Sequence, residues 1–282
     1  MILIADGGST KADWVALAPD GTELFRTRTQ GINPEILGEE LLMERLLQND
    51  LLIQSKNEVN KVFFYGAGCG TEKAKLFLKS VFEKFFTQAV VVVKEDMLAA
   101  VYAASGGKES IVCILGTGSN SCYYDGNEMF QICPSLGYMI MDEASANLFG
   151  RRLIRDYFYK QMPEEIYVDF GKKFNLDADV VKENIYKKEA PNSYLGEFST
   201  IMFDHKESKY IQELLKEGFR EFYKFRVKTF TQYKKVPVFF IGSIAYYFQD
   251  LLKEVALEFE TQFGGSVQRP IDNLISYHQK ML

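Results

Sequence analysis

An Asp at the end of an apolar run, followed at once by two glycines and two hydroxyl residues, suits a phosphate ligand. The chain carries this arrangement at Asp6-Gly7-Gly8-Ser9-Thr10-Lys11, directly after Ile2 to Ala5. Glycines let the backbone approach a ligand closely, and the Ser9 and Thr10 hydroxyls add donors on the same side. The Asp6 carboxylate would repel phosphate unless a Mg²⁺ lay between them. The same residues would also make an ordinary tight hairpin with a solvated Asp, so both readings stand for this turn taken alone.

A second turn, Gly116-Thr117-Gly118-Ser119-Asn120, repeats the recipe after another apolar run and contains no proline to remove a backbone donor. Neither turn fits a P-loop, and neither opens a helix as a dinucleotide fingerprint does. A third feature is Asp96 in Lys94-Glu95-Asp96, where Val90 to Val93 ends and the helix-like MLAAVYAAS begins. Crevices of α/β sheets form at such junctions. A carboxylate there can orient and deprotonate an attacking hydroxyl while a metal and amide donors absorb the charge on a transferred phosphoryl group. It can equally be a helix N-cap.

The elements that must position these groups follow from periodicity. Ile2 to Ala5, Val62 to Tyr65 and Val90 to Val93 have strand character, and helical spacing fills the segments between them, Pro34 to Gln54 and Glu72 to Thr87. The second of these aligns Ala74, Phe77, Leu78, Val81, Phe82 and Phe85 on one face, which must pack against the sheet. Strands are expected again at Ile111 to Leu115, Ser121 to Tyr124 and Val236 to Ile241. Long amphipathic helices are expected over Asp142 to Tyr159 and Lys209 to Lys234, interrupted by a polar stretch around Pro191-Asn192-Ser193. The pattern strand, glycine turn, strand occurs twice, as ILIADGGSTKADWVAL and as IVCILGTGSNSCYY. Duplication and coincidence both explain so short an echo.

At 282 residues with 47% hydrophobic and 14% aromatic composition, the chain is globular and long enough for two domains. A boundary is expected near Gly106, giving lobes 1–105, with a C-terminal helix 269–282 packing back on the first, and 106–268. The net charge of -5 disfavours nucleic acid as a partner. The N-terminal apolar run stops at Asp6, too short for a signal sequence or a membrane span, so a cytoplasmic location is expected. Cys69, Cys113, Cys122 and Cys133 form no CxxC pair and are read as buried small hydrophobes, and His205 and His278 have no second ligand at metal spacing. Arg151, Arg152 and Arg155 are read as solvating a helix face.

The ordered set DGGSTK, GINP, EDMLAA, ILGTGSN, SLGYMIMDEAS and FFIGS resembles the N-acetylglucosamine kinase family, a branch of the BadF/BadG/BcrA/BcrD-type ATPases in the actin and sugar-kinase superfamily. That resemblance implies a two-lobed α/β, ribonuclease H-like fold with a duplicated sheet core and the nucleotide in the interlobe cleft. It implies an enzyme that uses ATP and Mg²⁺ to phosphorylate a small-molecule amino sugar, at the hydroxyl on carbon six of a hexosamine. Gly7, Gly8, Ser9, Thr10 and Lys11 would hold phosphate with Gly116, Thr117 and Gly118, and Asp6 would hold Mg²⁺ through water. Asp96 falls on the family's catalytic base. Asn33, Asn120, Gly137, Tyr138 and Asp142 fall where relatives contact the sugar, and Gly242-Ser243 where a turn passes the adenosine. Family members often pair, which makes a homodimer an expectation.

Leu136, Tyr138, Met141 and Ala144 stand where relatives carry Trp, His, Gly and Gly, which changes the shape of the acceptor loop. Two other functions belong to different classes. An ATPase that activates a partner enzyme would supply interface cysteines to an iron-sulfur cluster, whereas three of these cysteines lie in or beside strands near the second turn. A sugar and nucleotide sensor without turnover would tolerate the altered loop.

Overall fold

The computed structural model describes residues 1–8, 11–188 and 190–281. Ser9 and Thr10 of the first turn lie outside the described residues. The chain forms two compact units, Met1–Gly106 with Pro270–Leu282, and Gly107–Arg269.

In the first unit, β1 (Ile2–Gly7), β2 (Lys11–Leu17) and β3 (Glu23–Gln30) form an antiparallel meander, followed by α1 (Glu39–Leu47), α2 (Asp50–Ser55), β4 (Lys61–Gly66), α3 (Glu72–Phe85), β5 (Val90–Glu95) and α4 (Asp96–Ser105). The sheet order is β3-β2-β1-β4-β5, with β4 parallel to both β1 and β5. Because side chains alternate across a strand, β1 needs apolar residues on both faces to lie at the centre. Leu3 and Ala5 join Trp14, Phe64 and Phe82 on the side of α1 and α3. Ile4 meets Ala99 of α4 and Ile271, Leu274 and Ile275 of the C-terminal helix, Pro270–Gln279, on the other. Trp14 is fully buried against Phe64, Phe82 and Phe86, and its indole N–H donates to Thr29 Oγ1 at 3.1 Å.

The second unit repeats this strand plan. β6 (Ser110–Leu115), β7 (Ser119–Tyr124) and β8 (Met129–Phe130) form the meander, and β9 (Pro237–Ile241) and β10 (Gln262–Val267) extend it in parallel, in the order β8-β7-β6-β9-β10. Between β8 and β9 lie α5 (Ala146–Phe158), α6 (Glu164–Lys173), α7 (Ala178–Tyr186), α8 (Pro191–Phe198), α9 (Ile201–Asp204) and α10 (Lys209–Phe222). α11 (Ser243–Tyr247) and α12 (Gln249–Glu258) separate β9 from β10. One core of Phe, Leu and Ile side chains, including Phe149, Phe219, Phe222 and Phe240, fills the space under these helices. Among the described residues each unit therefore has a five-stranded sheet with the same strand order, and no helix is long and apolar enough to cross a membrane.

Several helical expectations shift. Pro34 to Gln54 is two helices, the second begun by Asn49, whose side chain accepts from Leu52 N. The helix expected from Asp142 begins at Ala146, capped by Ser145, because Asp142 and Ala144 take positive φ of 70° and 57° and cannot continue a helix. Pro191, expected to interrupt, instead starts α8, where a missing N–H costs nothing. The run to Lys234 leaves the α-helix at Phe222 for a π turn, Tyr223–Val227, which carries the buried Arg226 to Glu143, Cys133 O and the Met141 sulfur. Arg152 does not simply solvate its helix but bonds both carboxylate oxygens of Glu221 at 2.7 Å.

The C-terminal helix is keyed to the first sheet by a buried histidine. His278 Nε2 lies 3.0 Å from the Tyr65 hydroxyl and its ring packs on Phe63, with Lys61 the charged group facing it and Tyr277 alongside. Burial and the Lys61 charge hold its pKa down, at about 4. The unfolded imidazole takes up its proton first as pH falls, so stability is lost between about pH 6.5 and 4. Urea unfolding should show roughly 2 kcal/mol less stability at pH 5 than at pH 7 from this residue. The difference should shrink in His278→Gln, and an unchanged pH slope in that variant would remove His278 as its source.

Candidate active site

β1, β4 and β5 run parallel and in register, Asp6 beside Tyr65 beside Lys94 and Gly7 beside Gly66 beside Glu95. Their C-terminal ends therefore deliver three loops to one edge of the first sheet: the Asp6-Gly7-Gly8 turn, the Gly66-Ala67-Gly68-Cys69 loop, and the start of α4 at Asp96. The first two are tied by the Ala67 N–H, which donates to Gly7 O at 2.8 Å, and Gly8 N closes its turn on Lys11 O at 2.8 Å.

Asp6 and Asp96 are both half-buried at this edge. Burial, then the charges of Asp96 and Asp13, push Asp6 up to about 7, with Lys11 opposing. Burial also raises Asp96, partly offset by the Met97 N–H, which donates to Asp96 Oδ1 at 2.8 Å. The N-cap position belongs to Glu95, which makes no side-chain capping bond, and Asp96 is the first residue of α4, its carboxylate accepting from the amide of the next residue, Met97. Two poorly solvated carboxylates, one of which raises the other's proton affinity, are a high-energy arrangement unless a proton or a cation compensates them.

Asn33 sits buried against the second of these loops. Its Oδ1 accepts from Glu35 N at 3.0 Å, its carbonyl accepts from Ile36 and Leu37, and a Cβ on Gly68 would lie 2.0 Å from that Oδ1. Gly68 has φ of 77°, so both space and backbone require glycine there. Beside it, burial and the nearby Asp96 push the Cys69 thiol up to about 12, which keeps it protonated and unreactive.

In the second unit the parallel strands β6, β9 and β10 likewise end together. Gly242 N donates to Val267 O at 2.9 Å, and its Cα faces Leu115 O and Gly116 N at the head of the second turn. That turn is short, with Gly116 N donating to Gly118 O at 3.0 Å between paired Leu115 and Ser119. Asp142, buried, accepts from Ser119 N at 3.1 Å and from Asn147 Nδ2 at 2.9 Å. A cavity of about 610 Å³ opens beside Ser243, lined by Phe203, Lys206, Tyr247, Phe248 and Gln268. Phe203 stacks on Phe248 at 5.4 Å and meets Tyr247 edge-on at 5.1 Å, and Gln268 Nε2 donates to the Tyr247 hydroxyl at 3.0 Å.

The remaining acceptor-side candidates separate. Asn120 Oδ1 accepts from Ser121 N on its own strand. Gly137, with φ of 79°, and Tyr138 lie in the loop after β8, where Arg151 donates to Tyr138 O at 2.9 Å. Leu136, Met139 and Ile140 of that loop are 56%, 77% and 71% exposed. Sequence reasoning passed over Gly68, Cys69, Asn147 and the aromatic cavity. A third glycine-rich turn after a strand, Gly66-Ala67-Gly68-Cys69-Gly70, was the available signal for the first two.

Among the described residues no three His, Cys, Asp or Glu side chains gather as a metal cage. Mg²⁺ bound with phosphate needs none, because one or two carboxylates suffice when phosphate oxygens and water complete the shell. The like charges of Asp6 and Asp96 make this edge fit that ion, with Asp6 as the carboxylate to hold it.

No protein-family profile matches the chain, and no curated protein matches it. Solved structures do. A proposed N-acetylglucosamine kinase from Porphyromonas gingivalis is 34% identical, with 99% of each chain covered and a TM-score of 0.92. A proposed N-acetylglucosamine kinase from Chromobacterium violaceum is 15% identical over 98% of each chain, with a TM-score of 0.72. A ROK family glucokinase from Streptomyces griseus, solved with glucose and AMPPNP, is 13% identical over 98% of this chain and 97% of that one, with a TM-score of 0.58. The last two share the fold, and the first shares sequence along its whole length as well. With paired glycine turns on two sheets of one strand plan, and that identity across 99% of its residues, the chain belongs to the N-acetylglucosamine kinase family.

Proposed function

We propose that the protein is an ATP-dependent sugar kinase that phosphorylates a hydroxyl of an amino sugar of the N-acetylglucosamine class, with Asp96 as the general base. The observation that carries this reading is the pair Asp6 and Asp96 at one strand edge, with raised proton affinities and separate attachments. Asp96 takes the hydroxyl proton as the sugar oxygen bonds to the γ-phosphorus and ADP leaves, so proton and phosphoryl group both have a destination. Burial raises its basicity, which a base acting on a hydroxyl needs.

Asp6 would hold Mg²⁺ through water. When bound, the ion neutralises charge on the polyphosphate. Gly7, Gly8 and Lys11, with Ser9 and Thr10, contribute phosphate donors from the first unit, and Gly116, Thr117 and Gly118 from the second. Gly242 and Ser243 flank the nucleoside, whose base we assign to the cavity of Phe203, Tyr247 and Phe248, since stacked rings receive a purine face. Asn33, anchored through Oδ1 and its carbonyl, belongs to the acceptor side of this assignment with Asn120, Gly137, Tyr138 and Asp142. A cytoplasmic protein acting on a free sugar fits the reading, as does a homodimer.

Three outcomes test it. In Asp96→Asn, sugar-dependent ADP release should fall on the order of a thousandfold with Mg-ATP binding retained. Unchanged turnover would exclude Asp96 as base. Phe203→Ala and Tyr247→Ala should each raise KM for ATP about tenfold and leave KM for N-acetylglucosamine in place. A rise confined to the sugar would move the base elsewhere. Because Asp6 rests near 7 and a cation needs its ionised form, binding of Mg-AMPPNP at pH 7 should release about half a proton. Calorimetry in buffers of different ionisation enthalpy reads that proton directly. Its persistence in Asp6→Asn would assign it to another group.

A further inference from the structure

We propose that Asn147 is a positioning residue of the phosphate turn. With Asp142 it forms a bridge, Asp142 to Asn147 to Thr117, that sets which way the turn's amides point. The proposal rests on reading Gly116 to Ser119 as a phosphate grip, and it names how that grip is held.

Three donor bonds reach the turn from the start of α5, and a fourth leaves it for Asp142. Ala146 N donates to Gly116 O at 2.9 Å, Asn147 N to Thr117 O at 3.2 Å, and Asn147 Nδ2 to the same Thr117 O at 2.6 Å. Ser119 N donates to Asp142 Oδ1 at 3.1 Å. In a trans peptide the C=O and the following N–H point in opposite directions, and no peptide among the described residues is cis. Drawing the Gly116 and Thr117 carbonyls toward α5 therefore turns the N–H groups of Thr117 and Gly118 the other way. Gly116 N is used inside the turn and Ser119 N on Asp142, which leaves those two amides for an anion.

The helix N-terminus is thus spent on the turn's carbonyls, and the turn's own amides meet the ligand. Asp142 completes the clamp: Oδ2 accepts from Asn147 Nδ2 at 2.9 Å, and a Cβ on Gly118 would lie 2.9 Å from it, so the carboxylate presses directly against the turn. Both Asp142 oxygens are engaged inside this unit, which gives that residue a task on the phosphate side in addition to the acceptor side.

A second observation separates positioning from packing. Asn147 is fully buried, yet its Oδ1 has no partner, and Ser119 Oγ beside the turn has none either. An unpaired buried acceptor is destabilising, and an apolar side chain of similar volume would avoid it. Asparagine is kept here for its two donor bonds.

The test compares ligands that differ in phosphate. Wild type, Asn147→Asp, Asn147→Ala and Asp142→Asn are titrated calorimetrically with Mg-AMPPNP and with adenosine. Asn147→Asp is isosteric and sets an oxygen against the Thr117 carbonyl and the Asp142 carboxylate, and Asn147→Ala serves should the aspartate variant fail to fold. Mg-AMPPNP should weaken about tenfold or more while adenosine affinity holds, so preference for the triphosphate collapses. Combining Asp142→Asn with Asn147→Asp should cost less than the product of the single effects. A folded variant that keeps the wild-type preference, or that loses both ligands equally, overturns the positioning role. A wild type that binds adenosine but gains nothing from phosphates overturns the phosphate reading of the turn itself.

Discussion

Two carboxylates that share one poorly solvated strand edge form the constraint around which the first unit is arranged. Isolated in such surroundings, Asp6 retains its proton to about pH 7, and the Asp96 charge is among the causes. Burial imposes that destabilisation, and a cation bound there would remove it. The neighbouring residues avoid adding to the negative charge. Gly7, Gly66 and Gly68 bring backbone rather than side chains to the edge, and the Cys69 thiol stays neutral because burial and Asp96 both oppose its ionisation. The site is held by rigid strands behind and by bonded loops in front, Ala67 to Gly7 between two loops and Glu35 to Asn33 within a third.

What was legible in the sequence follows from how local each signal is. The turn at Asp6-Gly7-Gly8, the turn at Gly116 to Gly118 and the junction at Asp96 depend on residue types within a few positions, and each lies at the end of a strand as its pattern implies. The echo between the two turns, too short to decide duplication, becomes two five-stranded sheets with one strand order. Asn147 and the Phe203, Tyr247 and Phe248 cavity could not be seen this way, because α5 and α8 to α11 bring them beside turns that are distant in sequence. Nothing in an amphipathic helix pattern marks which residue of its first turn will meet a remote carbonyl.

The helical region shows where periodicity misleads. Apolar spacing continues past Phe222, so a single helix to Lys234 is the natural expectation, yet the backbone widens into a π turn at Tyr223–Val227. Arg226 explains the change. A guanidinium only 2% exposed must find partners, and the widened turn carries it to Glu143 at 3.2 Å and Cys133 O at 3.3 Å, which fastens the loop leading to Asp142. Likewise Asp142 and Ala144 look helical by type but take positive φ, because Asp142 must turn back to reach Ser119. Tertiary hydrogen bonds override local propensity at both places, and both lie next to the second turn.

One strand plan used twice has come to hold two different chemistries. In the first unit the turn follows a carboxylate, Asp6, and the strand two places across leads to another, Asp96, so that edge collects negative charge. In the second unit the strands equivalent to β1 and β4 lead to Gly116 and Gly242, and the carboxylate there, Asp142, is engaged by the Ser119 amide and the Asn147 side chain. An edge rich in ionisable oxygen suits a cation and a proton acceptor, whereas an edge of oriented amides suits an anion. Phosphoryl transfer requires both. The two units differ in the few residues at their strand ends, while the sheets that carry those ends keep the same order.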